Sequence, residues 1–133
     1  MIPPTTGGIR SDTAGDGHFG APRGNRTHKG TDYRCYPNEP VSAPMFGKIV
    51  RLAKPYGDDK WLGVLIRNST YEGKLFYMDP YTDRIGSYVT EGECIGYAQD
   101  ISQKYPNQGM ESHVHWQVQD MDGVLIDPET LMT

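Results

Sequence analysis

The sequence contains few histidines and cysteines, and it has no long apolar run. Four histidines and two cysteines occur among 133 residues. No stretch approaches the roughly 20 apolar residues that a bilayer-spanning helix needs. The N-terminal segment MIPPTTGGIR also lacks the apolar region of a signal peptide. The sequence therefore predicts no membrane association, and either the chain is mature or it leaves the cell by another route, such as lysis or assembly into a phage particle.

Two further patterns are absent, a cysteine-based zinc motif and an excess of positive charge. Cys35 and Cys94 do not lie in a CxxC pair, so we interpret them as ordinary thiols, although two cysteines permit one disulfide. The formal charge of -4 and the pI near 5.5 give no general attraction to nucleic acid or anionic lipid. The one basic cluster, at Arg23, Arg26 and Lys29, flanks His28, which favours a local role.

Helical periodicity is absent as well, and the composition favours strands. Sixteen glycines and ten prolines, with only 36% hydrophobic residues, argue against a helical bundle. Apolar segments bounded by turn residues predict strands at 41–53, 61–68 and 74–79, two within 85–100, and one at 112–119. A hairpin turn is predicted at TYEG, residues 70–73. The fold class is therefore all-β and antiparallel.

The chain reads as one domain preceded by a short arm. Residues 1–27 are rich in Gly, Pro, Thr, Asp and Arg and show no periodicity. We expect an irregular N-terminal arm at 1–16 and a single domain at 17–133. Trp61 and Trp116 are expected in the core, and His18 in an exposed loop.

Three of the four histidines fall into two short motifs. One is HKGTD, with His28 and Asp32, and the other is HVH, with His113 and His115, in a strictly alternating strand. Alternation places His113 and His115 on one face, so one can ligate a metal while the other stands beside it as a base. Two histidines and one aspartate leave an open position on a tetrahedral zinc, which is the arrangement of catalytic sites. A solvated histidine pair and a chance HxxxD spacing are the plain alternatives.

Several motifs of the sequence occur in the order that is typical of a known protein family. HKGTD, APMFGKIV, GECIG, SHVHWQVQ and DGVLIDP, from about Gly17 to Pro128, resemble the lysostaphin-like (LytM-type) zinc metalloendopeptidases. The resemblance implies a single antiparallel β-sheet groove domain of the duplicated hybrid motif type. It also implies one Zn²⁺ per chain, held by His28, Asp32 and His115, with His113 as the catalytic base. The implied substrate is a peptide of bacterial peptidoglycan.

One position departs from the family pattern. Active members carry a further histidine in a YxHL-like strand, whereas the corresponding strand here is KLFYMDP, and Tyr77 is placed at that position. Met78 and Asp79 are the alternatives if the register shifts. The same region is similar to chemotaxin-type proteins of vertebrates, which are secreted, share the fold and zinc ligands, and are regarded as non-peptidases. Their disulfide framework is not carried over to Cys35 and Cys94.

Two functions follow from the resemblance. The first is a zinc metalloendopeptidase that hydrolyses peptidoglycan outside the cytoplasm, at the cell wall, and that is encoded by a phage or a bacterium. In this hypothesis the phenol of Tyr77 acts as a hydrogen-bond donor in place of the missing histidine. The second is a catalytically impaired, zinc-containing binding module that recognises a protein or a glycan, with Tyr77 as an ordinary strand aromatic.

Overall fold

The computed structural model describes all 133 residues, and its regular elements are almost entirely β-strands. The strands in chain order are β1 Ser11–Asp12, β2 Gly15–Asp16, β3 Pro22–Arg23, β4 Arg26–Thr27, β5 Thr31–Arg34, β6 Pro40–Ser42, β7 Gly47–Ala53, β8 Gly63–Arg67, β9 Tyr71–Phe76, β10 Met78–Pro80, β11 Tyr88–Val89, β12 Cys94–Ala98, β13 His113–Asp120 and β14 Leu125–Ile126. Short 3-10 turns occupy Thr82–Arg84, Ile101–Lys104 and Pro128–Leu131. The all-β prediction is confirmed. None of the three short 3-10 turns has the length or the apolar character of a membrane-spanning helix.

The strands form one large sheet and one small one, with every pairing antiparallel. The seven-stranded sheet has the order β11-β7-β8-β9-β13-β14, and β5 also pairs with β13. The three-stranded sheet has the order β10-β12-β6. The pairs β1-β2 and β3-β4 are isolated two-residue hairpins. The small sheet and the hairpins are additions to the single sheet that the resemblance implied.

The large sheet has one buried face and one face that carries the histidines. Side chains alternate along β13, so Val114, Trp116 and Val118 join the main core cluster while His113 and His115 point the other way. Trp116 is fully buried, and it packs directly over Gly73 of the neighbouring strand, where an added Cβ would lie 2.1 Å from the indole ring. The predicted core positions of Trp116 and Trp61 are confirmed, since Trp61 is also buried.

The predicted turn at 70–73 is wrong by about two residues. The Oδ1 atom of Asn68 accepts hydrogen bonds from the backbone N–H groups of Thr70 and Tyr71, at 2.9 Å each. This side-chain-to-backbone turn closes the hairpin early, so Tyr71 and Glu72 already belong to β9. The predicted strand 74–79 is also interrupted, because the chain leaves the large sheet at Tyr77 and enters the small one at Met78.

The N-terminal segment is less irregular than its composition predicts. Its backbone pairs with the strand that carries Asp32, since Arg10 N–H donates to the carbonyl of Asp32 at 2.9 Å and Asp32 N–H donates to the carbonyl of Gly17 at 2.9 Å. Ile9 also forms an isolated bridge with Tyr33. Residues 9–17 therefore lie along the outer side of β5. The domain boundary near residue 16 stays a prediction.

Candidate metal centre

The pairing of β5 with β13 brings the two histidine motifs together. In this register His115 lies directly opposite Asp32. His28 stands in the loop just before β5, so its ring closes over the same point from the side. The ligand atoms of His28, Asp32 and His115 all lie within 4.8 Å of one another. The structure thus brings together the three side chains that the sequence predicts as zinc ligands.

Hydrogen bonds to the far side of each ring decide where its lone pair points. His28 Nδ1 lies 3.1 Å from the carbonyl oxygen of His18, and His115 Nε2 lies 3.1 Å from Gln117 Oε1. Both oxygens accept, so in neutral rings these nitrogens carry the hydrogen. The lone pairs are then on His28 Nε2 and His115 Nδ1, which face each other at 3.1 Å.

A cation fits these three atoms better than a hydrogen bond does. Asp32 Oδ1 lies 3.0 Å from His115 Nδ1 and 3.3 Å from His28 Nε2. A proton shared with one ring can join only two of the three atoms, whereas a divalent cation joins all three. Zinc bonds of about 2.0–2.1 Å in a tetrahedron place neighbouring ligands about 3.3–3.4 Å apart. The residues present therefore fit zinc.

The second oxygen of Asp32 is held by a buried arginine. Arg10 Nε donates to Asp32 Oδ2 at 3.2 Å, and Arg10 Nη1 donates to Asp12 Oδ1 at 2.9 Å. Arg10 and Asp32 are each only 3% exposed. This contact leaves Oδ1 as the oxygen that faces the histidines. Burial by itself raises the pKa of Asp32, but hydrogen bonding to the rings of His115 and His28 holds that pKa well below its ordinary range.

His113 lies beside the ligands without joining them. Its Nδ1 donates to the carbonyl oxygen of Glu111 at 2.8 Å, so the lone pair of the neutral ring is on Nε2. That atom is 3.6 Å from Asp32 Oδ2, which is too long for a hydrogen bond. Burial lowers the pKa of His113, while the charge of Asp32 raises it in part. A buried, neutral imidazole with a free lone pair is suited to accept a proton.

Tyr77 occupies the edge of the same groove in a strained backbone conformation. Its φ is 71°, which is rare for a bulky residue. The strain is fixed by the N–H groups of Tyr77 and Met78, which both donate to the carbonyl of Leu62, at 2.7 and 3.1 Å. The phenol ring lies edge-on to His113, with ring centroids 5.6 Å apart. Met78 is buried in the core and Asp79 accepts a bond from Gln99, so neither alternative reaches the groove.

Two more tyrosines support the phenol of Tyr77. The hydroxyl of Tyr56 lies 3.2 Å from that of Tyr77 and 2.7 Å from that of Tyr105. Burial raises the pKa of Tyr77 to about 12, and the hydrogen bond with Tyr56 lowers it in part. Tyr77 is therefore a neutral hydrogen-bond donor at physiological pH.

The groove around these residues encloses about 390 Å³. Arg23, Arg26 and Lys29 line it, as do the three histidines and three tyrosines described above. A larger depression of about 610 Å³ lies against the N-terminal segment, but no histidine or cysteine lines it. The chemistry of the chain is therefore concentrated in the smaller space.

Several side chains of the groove are not predicted from the sequence. Gln117 follows His113 and His115 at the same alternation, so the strand pattern could have found it. Arg10, Tyr56 and Tyr105 lie in segments without periodicity, and no local signal marks them. His18 is exposed as predicted, with its ring bonded to Asp16, but its carbonyl orients His28.

Position 30 requires glycine because of close contacts with β13 rather than because the chain turns there. A Cβ at this position would lie 2.4 Å from the carbonyl oxygen of Trp116 and 2.9 Å from the ring of His115. Any larger residue would push the HKGTD loop away from β13. The two cysteines are free, and neither lines the groove or lies in the group of potential ligands.

Comparisons with known proteins agree on one family and one fold. Residues 26–128 match Peptidase family M23. Leukocyte cell-derived chemotaxin-2 of Mus musculus is 35% identical over 106 residues, which cover 78% of this chain and 68% of that protein.

Two solved structures have the same fold. The catalytic domain of the antimicrobial peptidase lysostaphin from Staphylococcus simulans aligns with a TM-score of 0.64 and 24% identity, covering 88% of this chain and 89% of that one. A zinc containing peptidase from Vibrio cholerae aligns with a TM-score of 0.61 and 24% identity, covering 94% and 37%.

Arg10 provides a test of how the centre is held. Replacement of Arg10 by glutamine removes the charge that orients Asp32, so the zinc affinity should fall by about 10–100-fold, as is usual for partners of metal ligands. Competition with a chelating dye measures the affinity, and cobalt absorption reports the ligand geometry. Arg84→Gln, which breaks an ion pair with Glu93 far from the site, is the matched control. A folded Arg10→Gln protein with native affinity would contradict the assigned role.

Proposed function

The chain belongs to peptidase family M23, and on that premise we propose that it is a zinc-dependent endopeptidase that hydrolyses peptide bonds of bacterial peptidoglycan. The substrate class comes from the lysostaphin-like motifs of the sequence, since the structural likeness to lysostaphin supports the fold alone. The proposal places the protein outside the cytoplasm, at the cell wall, and includes phage particles as a source.

One observation carries this proposal. Two imidazole lone pairs and one carboxylate oxygen converge within 3.0–3.3 Å, and a third imidazole with a free Nε2 stands beside them. A module that needed zinc for its structure alone would have no use for a buried, unligated histidine at that place. His28, Asp32 and His115 would hold the ion, which polarises a carbonyl and makes water more acidic when bound.

The remaining groups divide the work of hydrolysis. His113 Nε2 accepts a proton from the attacking water and returns it to the nitrogen of the departing amine, so that the peptide becomes a carboxylate and an amine. The hydroxyl of Tyr77 donates a hydrogen bond toward the negative charge that develops on the carbonyl oxygen. Tyr56 takes no direct part in the chemistry. Its hydroxyl lies 3.2 Å from the hydroxyl of Tyr77 and keeps that group in place.

A second candidate function is favoured by one specific position. Tyr77 stands where lysostaphin-like peptidases carry histidine, and the chain is 35% identical to a chemotaxin. In this alternative the zinc centre stabilises the fold, and the groove recognises a protein or a glycan without cleaving it. The two candidates differ in whether the zinc-loaded protein releases new amino groups from wall material.

Hydrolysis should depend on His113. Because this residue is the proposed base, His113→Ala should lower the rate of amino-group release from purified walls by about 10²–10⁴-fold while the zinc content stays native. His18→Ala, at the exposed loop histidine, is the control and should keep full activity. Full activity in folded His113→Ala would remove the base assignment. Absence of cleavage by the native protein on several wall types would favour the binding module.

The phenol of Tyr77 can be tested without changing the strained backbone, since phenylalanine keeps the Cβ and the ring. Loss of the hydroxyl should lower kcat on the order of 10²-fold, as removal of an oxyanion donor does, with zinc affinity unchanged. Tyr77→His should restore part of the rate. Tyr36→Phe, at a tyrosine that is 60% exposed, is the matched control. An unchanged kcat in Tyr77→Phe would make Tyr77 an ordinary strand aromatic.

A further inference from the structure

The groove-side face of the large sheet continues well beyond the metal centre. The cross-strand register places Gln117 beside Lys74, Lys74 beside Leu65, and Leu65 beside Arg51. Since side chains alternate between faces, all of these lie on the face that carries His113 and His115. The same reasoning adds Glu72, Arg67, Lys48 and Tyr88. Leu65 itself is buried, so the part of this face that solvent reaches lies around it, from Lys74 and Glu72 to Tyr88.

This outer face is positively charged, although the chain is acidic overall. It carries four basic residues, Lys48, Arg51, Arg67 and Lys74, and one acidic residue, Glu72. Arg67 is paired with Glu72 at 2.8 Å, so Lys48, Arg51 and Lys74 have no acidic partner among the ion pairs of the structure. The formal charge of the whole chain is -4. A local excess of positive charge against that background favours an anionic ligand.

An exposed aromatic pair lies at the far end of the outer face. Phe46 and Tyr88 are 54% and 63% exposed, and their rings stack at 5.7 Å with an angle of 17° between them. They border an open depression of about 770 Å³, which Lys48 and Arg67 also line. Large aromatics in such a position are costly to leave in water and mark interaction surfaces. Stacked rings offer a flat apolar platform that matches the C–H face of a sugar.

The distance to the metal centre suits one extended ligand. Four strand spacings separate β13 from β11 in the order β11-β7-β8-β9-β13. At about 4.8 Å each, they place Tyr88 roughly 19 Å across the sheet from Gln119. His115 lies four residues away from Gln119 along β13, so Tyr88 and His115 are more than about 20 Å apart. A small peptide held at the zinc site would not reach the aromatic pair, whereas a polymer strand lying across the sheet would contact both.

We propose that the outer face is an accessory binding surface for peptidoglycan, in which peptide carboxylates contact Lys48, Arg51 and Lys74 and a sugar ring packs on Phe46 and Tyr88. The inference rests on the proposed function and adds to it a recognition site remote from the scissile bond. Peptidoglycan combines the two features that this face would recognise, since its peptides carry free carboxylates and its backbone consists of amino sugars. The positive charge of the outer face is complementary to the peptide carboxylates, and this is the reason for proposing peptidoglycan as its ligand.

The experiment measures binding without cleavage. Zinc-loaded His113→Ala protein is cosedimented with sacculi that have been stripped of wall phosphate polymers, at several salt concentrations. A charge variant, Lys48→Gln with Arg51→Gln and Lys74→Gln, should bind at least tenfold more weakly and with a smaller dependence on salt. A platform variant, Phe46→Ser with Tyr88→Ser, should also bind more weakly, with its salt dependence unchanged. The control replaces Lys54 and Lys60, which lie in the loop between β7 and β8 and outside the strands of the outer face, by glutamine.

Each possible result either supports the proposed binding surface or contradicts it. Loss of binding in both variants, with native binding in the control and native melting temperatures throughout, supports it. Equal binding of all variants overturns it, as does binding that requires the phosphate polymers. A platform variant that alters only self-association in sedimentation also overturns it, because the face would then be covered by a second copy. Native protein that binds through this face and never cleaves would leave the inference standing and refute the proposed peptidase.

Discussion

The antiparallel pairing of β5 with β13 is the constraint on which the rest of the site depends. It sets Asp32 opposite His115 across a single pair of strands, and it carries His28 to the same point at the end of the preceding loop. Gly30 permits this approach, since a side chain there would meet the backbone of Trp116. The candidate metal centre is therefore a product of strand register. A slip by one residue would turn His115 toward the core and Trp116 toward the groove.

The electrostatic design of the centre explains why so many polar groups are buried there. Asp32, His113 and His115 are each less than 10% exposed, and a buried carboxylate is costly unless it is paired. Arg10 offsets part of that cost on one oxygen and leaves the other for the histidines. Carbonyl oxygens and Gln117 fix the three ring orientations. Burying these polar groups with their lone pairs directed at one point lowers the stability of the fold, which is typical of a functional site rather than of a core.

The sequence predicts the parts of this centre that follow strand alternation and motif order. The histidine pair of β13, its partner motif HKGTD and the all-β class all follow from local pattern and resemblance, and Trp116 follows from alternation. Arg10 could not be predicted, because its role depends on how an aperiodic segment lies against β5. The hydrogen-bonded row of Tyr77, Tyr56 and Tyr105 could not be predicted for a similar reason, since Tyr56 and Tyr105 lie in loops 49 residues apart. The turn at Asn68 was misplaced because a side-chain hydrogen bond, rather than glycine, closes the hairpin.

We infer that two imidazoles and one carboxylate hold a zinc ion without a cysteine ligand. X-ray absorption at the zinc edge, on protein shown by elemental analysis to carry one zinc per chain, distinguishes this ligand set from the others. We expect nitrogen and oxygen neighbours at about 2.0–2.1 Å, with the multiple-scattering signature of two imidazoles. A sulfur neighbour at about 2.3 Å, or a shell without imidazole scattering, would contradict it.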